Sequence, residues 1–468
     1  MRTQGSLTSR FGYDSFGRKR WQAAIELPHE QLSQLNEQKN SLLGHPGHPG
    51  HPATLIHRRY EYSKAGELLR QIDKHRGITD YKYDAIGQLR SREPHHPQLG
   101  NEDFGYDPAG NLGGSQALSP DNRLKAWKDL RLIYDAWGNV SERHSSNGYQ
   151  RFTYDCENRL VKAETYRGHD SLSQASYEYD CLGRRIAKHV LTEDKTETTY
   201  FLWQSLRMLQ EQKADLHSLY IYEQGSYAPL ARLDTDPSQP DQKPKRYYFH
   251  TDQIGTPLEV TDDSGRMVWR AYYRAWGALE ALTPREIEQN LRFQGQYHDI
   301  ETGLYYNTFR YYDPVIGRFI IQDPISLLGG NNLYVYSPNS NTWTDPLGFL
   351  GCELIKSTKN THDYTLKLDK SVYPETAGHI RDAINAGHPG IVTIQRGLAK
   401  SNRAKSLKGY KPHSQLDRDE WPMAMFSEGG NGASVRYIDP SDNRGAGSSI
   451  GSILRSLPDG IRVKFEVF

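Results

Sequence analysis

Aromatic and polar residues alternate over short stretches of the first half of the chain, and each stretch ends in a turn signal. In YKYDAIG, Tyr81 and Tyr83 place two rings on one face of a strand, because side chains two residues apart point to the same side. Asp84 and Gly87 are residues favoured at the first and fourth positions of a type I turn. The pattern predicts a strand followed by a tight turn.

The same phrase of an aromatic residue, Tyr-Asp and, usually, a glycine recurs along the chain. From Asp84 to Asp180, the aspartates of five successive copies are 23, 28, 20 and 25 residues apart. Repeats of this length indicate stacked units that bury their aromatic faces against one another. We interpret the aspartates as turn residues rather than as metal-binding or catalytic groups. The copies are FGYDSFG, YKYDAIG, FGYDPAG, LIYDAWG, FTYDCEN and YEYDCLG.

Composition supports this interpretation and excludes some classes of protein. The chain holds 31 Tyr and 41 Gly, although only 36% of its residues are hydrophobic. No apolar run approaches the roughly 20 residues that span a bilayer, so neither a membrane-spanning segment nor a cleaved signal peptide is predicted. Three cysteines without CxxC spacing indicate neither a disulfide framework nor a zinc site. The run GHPGHPGHP at 44–52 is interpreted as a linker rather than a histidine metal site.

The repeats over residues 1–246 resemble the YD repeats of Rhs proteins. The continuous stretch from YYFHTDQIGTPLEV to LYYNTFRYYDPVIGRFIIQDP resembles the Rhs repeat-associated core, which we assign to residues 247–349. This resemblance implies a hollow β-shell that encloses a C-terminal toxin. We therefore expect a multidomain chain with a β-rich YD-repeat shell or solenoid segment. Because the repeats are few, we expect a shortened product or a C-terminal fragment of a longer protein.

Two Asp-Pro pairs occur at the end of the core segment, DPIS at Asp323 and DPLG at Asp345, 22 residues apart. From residue types alone, both are ordinary turns. The family resemblance implies instead an aspartyl autoprotease that cuts between Phe349 and Leu350. Two carboxyl groups held close together would share a proton, which leaves one as the base and one as the acid. Ser326 and Phe349 depart from the residues usual in the family.

After residue 349 the Tyr-Asp phrases stop, and the pattern predicts a small α+β domain over residues 350–468. A helix is expected in YPETAGHIRDAINAG, with strands at IVTIQ, ASVRYI and IRVKFEVF and a loop at DNRGAGS that leads into a short helix. The stretches DRDEWPMAMFSEGGNGASVRYI and DNRGAGSSIGSIL resemble the NucA/NucB deoxyribonucleases. The resemblance implies a reduced ββα-metal fold, in which a hairpin carries the base and the next helix a metal-binding asparagine.

The candidate site residues follow from this resemblance and from the needs of phosphodiester hydrolysis, which are a base, a cation and phosphate-binding donors. Asp419 is the expected base, with Glu420 and Arg418 as further catalytic groups. The expected metal ligands are Asn443, Asp419 and Glu420, and this hard-oxygen set suits Mg²⁺ or Mn²⁺. Asp417, Arg444 and Glu428 are expected around the substrate.

Several of these residues have simpler interpretations. Asp417 could pair with Arg418 or cap a turn, Glu420 could be a salt-bridge partner, and Glu428 could be a turn residue. His379 is more plausible as a structural histidine than as a catalytic one. His413 is a minor candidate for the base, and Trp421 is expected in the core.

We expect an interbacterial toxin whose C-terminal domain cleaves DNA without sequence preference. The tail from residue 351 carries 17 Lys and Arg against 13 Asp and Glu, which agrees with a polyanionic partner without identifying it. The resemblance implies a cognate immunity protein, export by a specialised, type VI-like secretion apparatus, and action in the target-cell cytoplasm. The alternative is a structural or adhesive YD-repeat protein with an inactive tail.

Overall fold

A computed structural model describes most of the chain. The described residues are 2–14, 18–26, 48–64, 66–113, 120–168, 170–223, 226–324, 332–337, 339–341, 345, 352–357, 361–368, 370, 373–413, 415–454 and 457–467.

The first part of the chain forms an eight-stranded antiparallel sheet in which every strand pairs with its neighbours in sequence. Its strands are β1 (Arg2–Gln4), β2 (Leu7–Tyr13), β3 (Lys19–Ile25), β4 (Thr54–Tyr62), β5 (Leu68–Asp73), β6 (Gly77–Tyr83), β7 (Leu89–Pro94) and β8 (Glu102–Asp103).

A second antiparallel sheet contains fifteen strands in the same meander order, and a short 3₁₀ turn (Pro120–Asn122) precedes it. Its strands are β9 (Ala126–Trp127), β10 (Leu130–Tyr134), β11 (Val140–Ser145), β12 (Gly148–Tyr154), β13 (Leu160–Arg167), β14 (Asp170–Tyr179), β15 (Arg185–Leu191), β16 (Thr196–Gln204), β17 (Arg207–Gln212), β18 (His217–Tyr222), β19 (Pro229–Thr235), β20 (Lys245–Thr251), β21 (Pro257–Asp262), β22 (Met267–Tyr273) and β23 (Leu279–Arg285).

The aspartate of each Tyr-Asp phrase builds the turn that follows it. At Asp155, one carboxylate oxygen accepts the backbone N–H groups of Glu157 and Arg159, each at 2.9 Å. The backbone N–H of Asp155 in turn donates to the carbonyl of Arg159 at 3.0 Å. The same arrangement recurs at Asp84, Asp107, Asp135 and Asp180. The interpretation of these aspartates as turn residues is confirmed.

The tyrosine of the phrase connects one hairpin to the previous one. The Tyr154 hydroxyl donates to the carbonyl of Val140 at 2.7 Å, and the Tyr179 hydroxyl donates to the carbonyl of Leu160 at 2.7 Å. Val140 and Leu160 are the first residues after the preceding turn, and both are buried. Each repeat thus satisfies a polar group of the repeat before it, where water has little access.

The core segment forms a third, four-stranded sheet with strands β24 (Tyr297–Asp299), β25 (Leu304–Asn307), β26 (Arg310–Asp313) and β27 (Arg318–Phe319). Leu304, Tyr306 and Tyr311 pack in one hydrophobic cluster with side chains of the fifteen-stranded sheet, such as Phe152 and Leu160. The segment therefore packs on the repeats and shares a core with them.

A buried ion pair joins the two sheets. The guanidinium of Arg185 on β15 donates to both oxygens of Asp299 on β24 at 2.6 and 3.0 Å, and both side chains are fully buried. The bidentate geometry compensates both charges. Tyr306 and Phe201 lie against the guanidinium, with ring centroids at 4.2 and 4.8 Å.

The tail contains a four-stranded mixed sheet in the order β28–β29–β33–β30, in which β29 and β33 are parallel, and a separate hairpin of β31 and β32. In the described residues of the tail, three helices and a 3₁₀ turn (Arg396–Leu398) complete it. The elements are β28 (Cys352–Lys356), β29 (Tyr364–Leu368), α1 (Pro374–Asn385), β30 (Ile391–Thr393), α2 (Ala399–Ser406), β31 (Asp417–Trp421), β32 (Ser434–Ile438), α3 (Pro440–Leu454) and β33 (Arg462–Val467).

The predicted fold class, a β-rich YD shell followed by a small α+β domain, is confirmed. Within the tail, β28, β29 and α2 were not predicted from the sequence, and the prediction that Asn443 lies in a loop was wrong. The helix α3 begins at Pro440 and includes Asn443. Although this segment is rich in Gly and Ser, Ala446, Ile450 and Leu454 recur every four residues and are fully buried, so tertiary packing stabilises the helix.

In the part of the chain that the structure describes, no helix is long and apolar enough to cross a membrane. The boundary expected at residues 349 and 350 lies outside the described residues.

The Asp155 turn offers a test of the repeat geometry. Asp155→Ala removes the acceptor of two backbone N–H groups and should lower stability by about 1–2 kcal/mol, seen as a lower Tm of the full chain. Asp155→Asn keeps an oxygen acceptor and should cost clearly less. Equal losses in Tm for the two variants would contradict this role of the carboxylate.

Candidate active site

The candidate site is built on the ββα unit formed by β31, β32 and α3. In the hairpin, Asp419 lies opposite Arg436 and Glu420 lies opposite Val435. Helix α1 packs against both strands, and α3 packs against β31. This order of a hairpin followed by a helix agrees with the ββα arrangement that the sequence implied.

Strand geometry separates the two carboxylates that were expected to act together. Adjacent residues of a strand point to opposite faces. Asp419 faces α1, where it contacts His379, whereas Glu420 faces α2, where it contacts Ser406. The structure thus directs Asp419 and Glu420 away from each other.

Asp419 forms a buried hydrogen-bonded chain with a histidine and a serine. Oδ2 of Asp419 lies 2.6 Å from Nδ1 of His379, and Nε2 of the same ring lies 2.9 Å from Oγ of Ser434. His379 is fully buried and Asp419 is 4% exposed. Burial raises the pKa of the Asp419 carboxyl above its usual value, and the hydrogen bond to His379 partly opposes that rise.

The sequence favours a structural role for His379, and it does not identify the partner of this side chain. The only sequence signal was a histidine in the first half of a helix that also carries Ile380. His379 and Asp419 are 40 residues apart, and they meet because α1 lies across the hairpin.

Glu420 has a role in packing. Its carboxylate accepts a hydrogen bond from the hydroxyl of Ser406 and lies 3.4 Å from Nε of Arg403, both on α2. It therefore anchors α2 to β31, which agrees with the simpler interpretation of Glu420 as a salt-bridge partner.

Asn443 lies in the first turn of α3, beside a reciprocal cap between two helices. The Asp442 carboxylate accepts the backbone N–H groups of Glu375 and Thr376 at the start of α1, each at 2.8 Å. The Glu375 carboxylate accepts the backbone N–H of Asp439 at 2.7 Å, just before α3. These bonds fix the two helix starts together. The charge of Asp442 also contributes to the raised pKa of Asp419.

The remaining predicted residues have different positions. Arg418 donates to the backbone carbonyl of Tyr410 at 2.7 Å. Asp417 is half-buried in β31, two residues before Asp419. Glu428 accepts the backbone N–H of Thr393 at 2.7 Å and its hydroxyl at 2.9 Å, and so fixes the end of β30.

Arg444, His413 and Trp421 complete the set of residues considered from the sequence. The side chain of Arg444 is outside the described part of the chain. His413 is exposed, and its Nδ1 accepts the backbone N–H groups of Gln415 and Leu416, both at 3.1 Å. It therefore serves as a turn residue. Trp421, by contrast, is fully buried in the tail core, as expected.

The expected metal ligands do not form a single cluster in the structure. Within the described residues, no three His, Cys, Asp or Glu side chains come together as a metal-binding group. Asp419 and Glu420 cannot hold one ion, because they face opposite sides of β31. Mg²⁺, however, often takes one or two protein ligands and completes its shell with water and substrate phosphate. Of the expected ligands, Asp419 lies on β31 and Asn443 lies on α3, which packs against that strand.

The two aspartates of the expected autoprotease meet around an arginine. The fully buried guanidinium of Arg310 lies 3.1 Å from Oδ2 of Asp323 and 3.2 Å from Oδ2 of Asp345. Each aspartate is 5% exposed. The side-chain amide of Asn307 also donates to the backbone carbonyl of Asp345 at 2.9 Å. Residues separated by 22 positions in sequence are thus brought together.

The arginine changes the expected electrostatics of this pair. A shared proton was expected because two close carboxylates repel each other, but Arg310 lies between them and offsets that repulsion. In the described residues, the segment between the two aspartates forms one isolated bridge, between Val335 and Arg318. Ser326 and the bond between Phe349 and Leu350 lie outside the described residues.

Comparison with known proteins gives a family for each part of the chain. The Teneurin YD-shell family model matches residues 57–341, and the Deoxyribonuclease NucA/NucB model matches residues 393–468. The chain is 41% identical over 379 residues to Double-stranded DNA deaminase toxin A of Burkholderia cenocepacia. The aligned region covers 75% of this chain and 25% of that protein. It thus spans about a quarter of the length of that toxin.

The tail and the shell each have a further relative. The chain is 49% identical over 119 residues to the DNA-entry nuclease of Bacillus subtilis. The aligned region covers 25% of this chain and 81% of that protein. It also aligns with the structure of the Photorhabdus luminescens Tc holotoxin pore at a TM-score of 0.56 and 20% identity, over 74% of this chain and 18% of that one. The second likeness concerns the fold alone.

The resemblances noted from the Tyr-Asp phrases and from DRDEWP with DNRGAGS are confirmed. The chain therefore belongs to the Teneurin YD-shell family and carries at its C-terminal end a domain of the NucA/NucB deoxyribonuclease family.

Proposed function

We propose that the tail of this protein hydrolyses the phosphodiester bonds of DNA without sequence preference, with Asp419 as the general base. The observation that carries this proposal is the buried pair of Asp419 and His379 at the ββα unit. A carboxylate whose pKa is raised by burial accepts a proton from water more readily than an exposed one. The similarity to the DNA-entry nuclease supports DNA as the substrate.

In this mechanism each member of the hydrogen-bonded chain has one task. Nδ1–H of His379 donates to Oδ2 of Asp419, which leaves Oδ1 to accept the proton of the attacking water. Ser434 donates its hydroxyl hydrogen to Nε2 and so keeps the proton of the ring on Nδ1. His379 acts through Asp419 and is therefore a positioning residue.

A divalent cation, Mg²⁺ or Mn²⁺, would be held by Asn443, with water and phosphate oxygens completing its shell. When bound, such an ion supplies positive charge that stabilises the leaving oxygen. Glu420 is left out of this set because it faces α2. Arg418 and Arg444 remain candidates for phosphate contacts, since a guanidinium matches the geometry of phosphate oxygens.

We also propose that the full protein is an interbacterial toxin. Its similarity to a curated toxin over 75% of the chain supports this assignment. In this account a type VI-like secretion apparatus delivers it, the tail degrades DNA in the target-cell cytoplasm, and a cognate immunity protein protects the producer. An adhesive protein with an inactive tail is less well supported, because Asp419, His379 and Ser434 keep an ordered chain of hydrogen bonds.

The third part of the proposal is self-cleavage between Phe349 and Leu350. Asp323 and Asp345 would supply the acid and the base, and Arg310 would hold both carboxylates in place. Because both aspartates are buried, few water molecules can compete for hydrogen bonds to their carboxylates.

Plasmid degradation by the purified full chain tests the nuclease assignment. Asp419→Asn should reduce the rate by about 10²–10⁴-fold, because an amide of equal size does not accept the proton. Asp382→Asn is the matched control: it makes the same change of charge on α1, where Asp382 forms an exposed ion pair with Arg436. Its rate should remain close to that of the parent.

The same assay in excess EDTA tests the cation, and cutting should stop. Full cutting in EDTA would refute the role of the metal, and full cutting by the Asp419 variant would refute the assigned base.

Intact-mass spectrometry of the purified chain tests self-cleavage. The wild type should yield a fragment of about 119 residues beginning at Leu350. Asp345→Asn should remain a single species of 53.6 kDa. Asp84→Asn, which alters an aspartate in a repeat turn, should be cleaved like the parent. A wild type that stays intact after prolonged incubation would show that the two Asp-Pro pairs are only turns.

A further inference from the structure

A group of exposed basic residues lies on α2 and the loop that follows it. We call it the α2 basic surface, and its members are Lys400, Arg403, Lys405, Lys408 and Lys411. The sequence from residue 399 to residue 416 contains no acidic residue. The surface therefore concentrates positive charge on one segment of a chain whose net charge is only +1.

The inward face of α2 explains why the basic side chains point outwards. Asn402 and Ser406, one helical turn apart, are buried. The side-chain amide of Asn402 donates to the backbone carbonyl of Phe426 at 2.9 Å, and Ser406 donates to Glu420. With this face fixed to the domain, the lysines and Arg403 are left on the solvent side.

The charges of this surface are largely uncompensated. Among the described residues, none of its four lysines takes part in an ion pair. Arg403 lies 3.4 Å from Glu420, yet its side chain is 64% exposed. A guanidinium has five N–H donors, so Arg403 can also bind a ligand in solution.

Two hydrogen bonds hold the loop of this surface against the strands that carry the candidate base. Arg418 donates to the carbonyl of Tyr410 at 2.7 Å, and the Tyr437 hydroxyl donates to the carbonyl of Lys411 at 2.7 Å. Arg418 precedes Asp419 in β31, and Tyr437 lies in β32. The basic surface is thus fixed to the same hairpin as Asp419.

We propose that the α2 basic surface binds the phosphate backbone of duplex DNA and holds it across the hairpin that carries Asp419. This inference rests on the proposed nuclease function and names the surface that binds the substrate. Unpaired lysines on an exposed helix contact phosphates without reading bases, so this binding is independent of sequence. An acidic protein is the other partner that such a surface could bind, and DNA-binding measurements distinguish the two.

Binding is measured by fluorescence anisotropy with labelled duplexes of two unrelated sequences at several salt concentrations. The full chain carries Asp419→Asn, so that the DNA is not cut during the titration. The test variant adds Lys400→Gln, Lys405→Gln and Lys408→Gln. The control adds Lys64→Gln, Lys243→Gln and Lys245→Gln, three exposed lysines of the repeat region.

The test variant should bind both duplexes on the order of tenfold to a hundredfold more weakly at low salt. The slope of log K against log salt should fall by about 2–3, because each lost phosphate contact removes about 0.9. The control variant should match the parent. With Asp419 restored, the test variant should show a raised KM and an unchanged kcat.

Unchanged affinity and unchanged salt slope in the test variant would overturn the proposal and would leave an acidic protein as the partner of this surface. That result is distinct from failure of the nuclease assignment, in which the parent with Asp419 restored does not cut DNA. Lys408→Gln with Lys411→Gln changes only the loop after α2, and it repeats the test without altering the helix. An unchanged salt slope in this second variant would likewise count against the surface.

Discussion

The bond from a tyrosine hydroxyl to the carbonyl after the previous turn is the interaction on which the repeat architecture depends. Tyr154 and Tyr179 each reach back one hairpin, and each acceptor is a residue buried in the core. An unpaired carbonyl at that depth would be costly, so each repeat requires the next one. The aspartate beside each tyrosine closes the turn. One dipeptide therefore determines both the hairpin and its attachment to the sheet, and the resulting inner face receives the aromatic residues of the core segment.

In the tail, the arrangement of the candidate site depends on the alternation of side chains along β31. Consecutive acidic residues in DRDEW would repel one another on a single face, but β31 directs Asp419 towards α1 and Glu420 towards α2. The first carboxylate is placed for chemistry beside His379, and the second anchors the helix that carries the basic surface. One strand thus links the candidate base to the surface that we propose for the substrate.

The sequence was sufficient to predict features that depend on neighbouring residues. The turn at Asp155 and the start of α1 near Pro374 follow from local residue preferences, and the structure agrees with both. Features that depend on packing were not predicted. His379 contacts Asp419 because α1 lies over the hairpin. Arg310 contacts Asp323 because its strand, β26, pairs with β27, which shortly precedes Asp323 in sequence. The extent of α3 was missed because burial of its apolar residues overrides the low helix propensity of its glycines.

The central claim is that His379 positions Asp419 as the base, and two substitutions of His379 test it most directly. In Asn the side-chain nitrogen lies at the δ position and can replace Nδ1 as the donor to Asp419, whereas in Gln it lies at the ε position and can reach only Ser434. Measured as kcat for plasmid cutting by the full chain, His379→Asn should stay within about tenfold of the parent, and His379→Gln should lose about a hundredfold. Thermal melting of both variants controls for folding. A His379→Gln variant that cuts as fast as the parent, or faster than His379→Asn, would contradict the account.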